Sequence, residues 1–334
     1  MVDTSGSVDY SPLVCDQVCQ ITLPASFTVL EAVEFKQTCQ TLHQDFPEIA
    51  RIVLDFSHTA FIDSSGIGAL VICRKLCDSH GSQLILRDVP PQVMMALKMT
   101  DLDQIFTLEV SAPDQAEPES TKQPKPTLPQ ATHPSVDSKL KRLLDIIGAL
   151  VGLVITAVIA IPIAIAIKLH DGGPVLFGQT RCSWMGRRFK IWKFRSMVVN
   201  AEALKQQVQN QVDGPLFKNE NDPRITPIGR LLRKTSLDEF PQFWNVLKGE
   251  MSLVGTRPPT PDEIEQYEVP EWQRLNVKPG MTGEWQVHGR STIKKFEDVI
   301  RLDLRYQENW SLLYDIKLIV KTVLVLFSKR SGAS

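Results

Sequence analysis

Ile146–Ile167 is a run of 22 residues without a charge, and no other stretch restricts the fold as strongly. At about 1.5 Å per residue, a helix of that length matches a hydrocarbon core of about 30 Å. A helix apolar on every face is buried or lies in lipid, so the segment predicts a membrane helix. Two details argue against a simple crossing. Pro162 lacks the N–H that a helix needs and predicts a break or kink near Val158. Both flanks are basic: Lys139, Lys141 and Arg142 precede the run, and Lys168, Arg181, Arg187, Arg188, Lys190, Lys193 and Arg195 follow it. Lys and Arg collect on the cytoplasmic side of membranes. A re-entrant hairpin over residues 139–170, entering and leaving on one face, satisfies both details; a spanning helix is the alternative.

The 334 residues have room for about two domains. Charge divides them. Residues 1–110 carry 14 acidic and 6 basic side chains, a net of −8, whereas residues 139–334 carry 20 and 29, a net of +9. A basic half that begins with a membrane segment points to anionic lipid, phosphate or nucleotide as partner, with no nucleic acid expected. Residues 14–110 alternate short apolar strands with amphipathic helices: strands at Val18–Leu23, Arg51–Phe56 and Leu84–Leu86, helices around Val29–His43, Ser64–His80 and Val93–Met99. This predicts a small α/β domain. Residues 111–138 carry Pro113, Pro118, Pro124, Pro126, Pro129 and Pro134 among polar residues and read as an extended linker. Residues 171–330 mix strands and helices. Trp310–Lys321 is amphipathic, suited to the bilayer surface or to the protein core. The N-terminus shows no basic leader followed by an apolar run, so no signal peptide is predicted. Cys15, Cys19, Cys39, Cys73, Cys77 and Cys182 form no CxxC and have no His at zinc spacing, so reduced thiols are expected.

Two motifs carry chemistry. In the acidic half, Asp55-Phe56-Ser57 ends a strand, and Phe61-Ile62-Asp63-Ser64-Ser65-Gly66-Ile67-Gly68-Ala69-Leu70 turns into a helix. Asp63, Ser64 or Ser65 is placed to cap it. An exposed serine there would accept a phosphate, which suits a helix N-terminus but can block a partner. In the basic half, Thr235-Ser236-Leu237-Asp238-Glu239-Phe240-Pro241-Gln242 sets two adjacent carboxylates between Arg224, Arg230 and Arg233 and the turn Gly255-Thr256-Arg257-Pro258. Acid beside concentrated base is what phosphate chemistry with a metal requires: a carboxylate attacks phosphorus or holds Mg²⁺, and arginines neutralise phosphate oxygens. An Asp-Glu pair alone is more often a solvated helix surface. No P-loop or Rossmann glycine pattern is present.

The DFS and FIDSSGIGAL runs, over about 95 residues, resemble the STAS domain of anti-sigma-factor antagonists. The resemblance implies a cytoplasmic module in which Ser64, with Ser65 as second choice, is phosphorylated by a partner kinase or answers to another regulator. The alternative is that both serines serve the helix end and the domain only docks.

Residues 139–330 resemble the bacterial sugar transferase family, the monotopic phosphoglycosyl transferases that act on polyprenyl phosphate. The motifs occur in order: Lys141-Arg142-Leu143-Leu144-Asp145, Gly173-Pro174-Val175-Leu176-Phe177, Phe189 to Met197, Asp222-Pro223-Arg224, Leu232 to Glu239, Gly249 to Gly255, and Lys278-Pro279-Gly280-Met281-Thr282-Gly283 running to Trp285, Gln286, Gly289 and Arg290. The implied fold is an α/β STAS domain plus an α+β transferase domain with a re-entrant membrane helix. The implied reaction moves a hexose-1-phosphate from a UDP-sugar to polyprenyl (undecaprenyl) phosphate, releasing UMP, at the cytoplasmic face of a bacterial inner membrane during exopolysaccharide, O-antigen or capsule assembly. Asp238 is then the nucleophile, forming a covalent phosphosugar intermediate. Glu239 helps bind Mg²⁺, with Asp238 beside it, and aids proton removal. Arg233 and Arg257 hold phosphate, Arg290 seats the nucleotide, and Arg224 and Lys278 complete the set; a structural ion pair is the equal alternative for Arg224 and for Arg230.

Two departures from the family pattern stand out. The Ser-Pro pair of the membrane helix is Val158-Ile159 here, with Pro162 a turn later, and the first proline of the Val-Gly-Pro-Arg-Pro turn is Thr256. The latter predicts a looser turn around Arg257. Asp303 and Asp315 read as helix-end residues or Mg²⁺ ligands, and His288 as a contact residue. Two rival readings are a STAS signalling module on an inactive transferase used as an anchor, and a glycosyl transferase that releases UDP.

Overall fold

The computed structural model describes residues 10, 12–111, 133–211, 214–217, 219, 221–288 and 295–327. Most of the expected linker, residues 112–132, lies outside the described residues, as does Arg290. The chain forms two compact units. The first comprises residues 1–132 together with 185–187 and 267–276; the second holds 133–184, 188–266 and 277–334.

The first unit is built on a five-stranded sheet: β1 (Leu13–Cys15), β2 (Val18–Thr22), β4 (Arg51–Asp55), β6 (Gln83–Arg87) and β7 (Thr107–Glu109), in the order β1-β2-β4-β6-β7. All neighbours are parallel except β1 and β2. Ile52, Val53 and Leu54 in β4 and Leu84, Ile85 and Leu86 in β6 are buried. Consecutive apolar residues, rather than alternation, mark strands covered on both faces. A small parallel pair, β3 (Ser26–Phe27) and β5 (Phe61–Ile62), leads into the helices. Helix α1 (Val29–Asp45) starts with a capping box between Thr28 and Glu31. Helix α2 (Ser64–His80) is capped by Asp63, whose carboxylate accepts from the Gly66 amide at 3.0 Å. Helix α3 (Pro91–Met99) begins with Pro91 at a position that needs no N–H.

The second unit contains a short helix α4 (Pro134–Asp137) and α5 (Lys139–Asp171), 33 residues long. The long antiparallel pair β8 (Leu176–Cys182) and β9 (Arg188–Phe194) follows, then α6 (Pro227–Lys234) and α7 (Phe243–Lys248). β10 (Ser252–Val254) pairs in parallel with β11 (Gly280–Thr282). The remaining helices are α8 (Pro261–Ile264), α9 (Glu284–Val287), α10 (Phe296–Glu308) and α11 (Leu312–Phe327).

Helix α5 continues through Pro162, so the chain does not break near Val158; a kink, the other form expected there, leaves the helix continuous. The proline costs one backbone hydrogen bond, and a helix of this length keeps the turns on either side. The basic flanks are also less free than the sequence suggests. Lys141 is buried against Asp315 (2.6 Å) and donates to the Val254 carbonyl (2.9 Å). Arg142 donates to the carbonyls of Val246 and Leu247 at the end of α7 (2.7 and 2.6 Å). These bonds fasten the start of α5 to the unit. Asp145 adds another, accepting from Ser252 Oγ (2.9 Å) and the Leu253 amide (2.8 Å).

Candidate active site

Asp238 and Glu239 lie on a 3₁₀ turn, Leu237–Gln242, between α6 and α7. The turn is entered through Ser236 at φ 54°, a left-handed conformation that reverses the chain after α6. Asp238 is buried and only 6% exposed. Glu239 faces Lys193 of β9, with Oε1 3.1 Å from Nζ. On the other side, Thr156 of α5 donates to the Phe240 carbonyl at 3.3 Å. A second contact fixes the distance of approach: a Cβ built on Gly152 would lie 2.4 Å from the ring of Phe243, the first residue of α7, so only glycine lets α7 follow the turn this close to α5. The turn that carries the acidic pair is therefore held against the apolar helix.

The predicted basic residues are placed in different ways. Arg233 sits in the last turn of α6, one turn before Asp238. Arg224 is buried and forks onto Asp222, with Nε 2.9 Å from Oδ1 and Nη2 2.7 Å from Oδ2, while Nη1 donates to the Ala201 carbonyl. Burial pushes the Asp222 carboxyl up, but the Arg224 hydrogen bonds and charge outweigh it and hold it below the usual range. That fork fixes a loop, so Arg224 makes the ion pair that is one of the two roles expected for it. Arg257 is gripped by Glu263 through two bonds of 2.6 and 2.9 Å. Its turn is not loose: Thr256 is buried, its carbonyl accepts from Gly280 at 2.8 Å, and it bridges to Pro279. Backbone pairing thus replaces the missing proline. Lys278, half-buried, precedes β11 in the same crossing.

Asp303 and Asp315 are both buried. Asp315 accepts from Lys141, Tyr306 (2.8 Å) and Trp310 (3.2 Å), a structural cluster. Burial, reinforced by Asp315, drives the Tyr306 hydroxyl well above its ordinary value. His288 Nδ1 meets the Glu284 carbonyl at 2.9 Å. Sequence reasoning missed two residues: Lys193, counted only as a flanking charge, and Glu263. Period two along Phe189–Phe194 held the signal for Lys193, because it puts that lysine on the face of buried Phe189 and Ile191; no local pattern marks Glu263.

Mg²⁺ takes one or two protein carboxylates and completes its shell with water and substrate phosphate. Among the described residues no group of three or more acidic, His or Cys side chains forms a cage. Two adjacent carboxylates fit an ion shared with a diphosphate rather than a self-contained metal site.

In the N-terminal unit, Ser64 and Ser65 are fully buried, contrary to the exposed hydroxyl expected there. They occupy the first turn of α2, and Asp63 does the capping. All six cysteines are free thiols, and burial pushes Cys182 up to about 12.

The family profile described as "Bacterial sugar transferase" matches residues 136–329, and the STAS domain profile matches residues 14–114. The chain is 52% identical over 188 residues to "Galactosyl transferase CpsE" of Streptococcus agalactiae, covering 56% of this chain and 42% of that protein. It is 44% identical over 200 residues to "Undecaprenyl-phosphate galactose phosphotransferase" of Salmonella typhimurium, covering 58% and 41%. It is 38% identical over 189 residues to "Exopolysaccharide production protein ExoY" of Rhizobium meliloti, covering 55% of this chain and 83% of that one. The chain thus spans less than half the length of the first two relatives and most of the third. By the match over residues 136–329, the chain belongs to the bacterial sugar transferase family and carries a STAS domain ahead of the transferase.

Proposed function

We propose that this protein is a membrane-bound phosphoglycosyl transferase that moves hexose-1-phosphate from a UDP-sugar to undecaprenyl phosphate, releasing UMP, early in exopolysaccharide or capsule assembly. The observation that carries this reading is the acidic turn Leu237–Gln242, which holds Asp238 buried and Glu239 on Lys193 beside the apolar helix α5. The named relatives support the substrate classes.

In this reading an Asp238 oxygen attacks the β-phosphorus of the UDP-sugar. A phosphosugar–Asp238 bond forms, the bond to the α-phosphate breaks, and UMP leaves with the electron pair. An oxygen of the lipid phosphate then attacks the same phosphorus and frees Asp238. Splitting one displacement between anions into two steps lets each meet a prepared electrophile. Arg233, Arg257 and Lys278 supply positive charge for phosphate oxygens, and Arg257 keeps its aim through Glu263. Lys193 steadies Glu239, which takes the proton of the incoming phosphate. Glu239 and Asp238 would hold a Mg²⁺ ion, whose positive charge would lower the repulsion between nucleophile and substrate.

Placement at the cytoplasmic face of the inner membrane, on one side only, is part of the proposal. Residues Ala149, Gly152, Ile163 and Ile167 of α5 are buried by protein, whereas Ile147, Val151, Val154, Val158, Ile161 and Ile165 are exposed. Protein therefore lines one side of α5 for about 27 Å, and that protein includes the polar turn with Asp238. Hydrocarbon cannot surround such a turn, which favours a helix dipping into one leaflet over a spanning one.

The test is turnover of the purified chain with Mg²⁺, undecaprenyl phosphate, and UDP-galactose or UDP-glucose, scored by nucleotide product and intact mass. UMP and a phosphosugar adduct lost in Asp238→Asn are expected. UDP as product, or turnover surviving Asp238→Asn, would sink the mechanism; no turnover with any UDP-sugar favours the anchor reading.

A further inference from the structure

The face of the STAS domain that bears the motif serines is not bare. Residues 267–276 are covalently part of the transferase half, within the 136–329 match, yet they pack into the first unit. The 3₁₀ segment Val269–Asn276 lies along α2. Asn276 reads the helix N-terminus with both ends of its amide: Oδ1 accepts from the Ser64 amide at 3.0 Å, and Nδ2 donates to Asp63 at 3.3 Å. One side chain thus satisfies a backbone donor that the helix leaves open and the carboxylate that caps it. Trp272, 5% exposed, sits on Gly68 so closely that a Cβ there would fall 2.4 Å from the indole. Lys36 of α1 pairs with Glu268 at the rim. Val269 and Leu275 are buried, as is Arg274, which donates to the Tyr267 hydroxyl at 2.7 Å. Met185, fully buried, accepts from Ser64 Oγ at 3.7 Å. Apolar anchors inside, a specific polar contact at the helix end and a charge pair at the edge are the make-up of a recognition surface with its ligand in place.

We infer that residues 267–276 are the resident ligand of the STAS domain's α2 face, an internal peptide that occupies the surface on which Ser64 and Ser65 lie. Any second protein that uses this face must displace the peptide, and in the docked state neither hydroxyl is open to a modifying enzyme. The inference goes beyond the catalytic proposal and does not depend on it.

The test uses the full-length protein in detergent and reads no activity. Zero-length carbodiimide coupling followed by peptide mass mapping should join Lys36 to Glu268. Hydrogen exchange should show residues 267–276 protected together with the start of α2. Gly68→Ala adds one methyl under Trp272 while favouring the helix itself, so coupling should fall about tenfold and residues 267–276 should exchange faster, with β4 and β6 still protected. Glu268→Lys should also abolish coupling, and adding Lys36→Glu should restore protection. Absence of the Lys36–Glu268 product in the wild type overturns the inference. So does a folded Gly68→Ala protein whose coupling and exchange are unchanged. Should Gly68→Ala fail to fold, the charge-swap pair decides: protection that ignores both substitutions overturns it.

Discussion

Asp238 and Glu239 are neighbours in sequence and differ in surroundings. One is buried and the other held by Lys193 at the edge of β9. That difference suits two jobs, a shielded nucleophile and a carboxylate oriented toward ligands. Lys193→Met removes the cation that orients Glu239, and a charged hydrogen bond of this kind is worth about 1.5–3 kcal/mol. UMP release should fall by at least about tenfold, with Lys193→Arg keeping most of it, measured on proteins of matched melting temperature. Asp222 makes a separate prediction. Its folded-state carboxyl is held below the usual range, so its pair with Arg224 stabilises fully above about pH 3.9 and is lost as pH falls below that. Asp222→Asn leaves Arg224 buried without its carboxylate and should cost about 3–5 kcal/mol near neutrality. Melting curves of the two proteins should converge as pH drops from 6 toward 2.5. At this scale the sequence displayed the residue types and hid the pairing. Arg224, Arg233 and Arg257 look alike in a charge count, and only packing shows that Asp222 pairs with the first and Glu263 orients the third.

Elements were legible to the degree that one physical signal dominated them. The strands Arg51–Asp55 and Gln83–Arg87 and the helices around them follow from apolar runs and caps, and the structure forms them within a residue or two of expectation. The turn Leu237–Gln242 could not be read the same way, because six residues with a proline carry no period; its shape comes from Ser236 and from α5. Helix α5 shows the opposite case: a proline that would end a shorter helix sits inside 33 continuous residues of helix. The contact at Gly152 is the most sensitive part of its packing. Gly152→Val would push the Phe243 ring and shift the turn bearing Asp238. Turnover should drop on the order of a hundredfold while membrane association persists, which vesicle flotation alongside UMP release would show. Equal loss of both would mean that Gly152 serves only the fold.

At the scale of the whole molecule, membrane placement is the property that joins the apolar run to the chemistry. Helix α5 has only 17% of its apolar window buried, and α11 exposes Leu313, Ile316, Val320, Val323 and Leu324 at helical spacing. Two apolar faces on one unit suit a body resting on a bilayer. A spanning α5 would instead place Lys139 and Lys168 on opposite sides of about 30 Å of hydrocarbon. The protein packed against Gly152, Ile163 and Ile167 would then have to enter the membrane with its charged turn, at a cost of several kcal/mol per unsatisfied polar group. A re-entrant α5 avoids that and, in the proposed reaction, would keep Asp238 within reach of both a soluble nucleotide and a lipid phosphate. The prediction concerns sidedness. In a background with exposed Cys15 replaced by Ser, Lys139→Cys and Lys168→Cys should both react with a membrane-impermeant thiol reagent from the cytoplasmic side of inverted vesicles, and neither from the opposite side of intact spheroplasts. Reaction of the two positions from opposite sides would mean that α5 spans. The acidic turn would then need a protein-lined cavity to stay ionised, and the one-sided meeting of UDP-sugar and lipid phosphate would have to be abandoned.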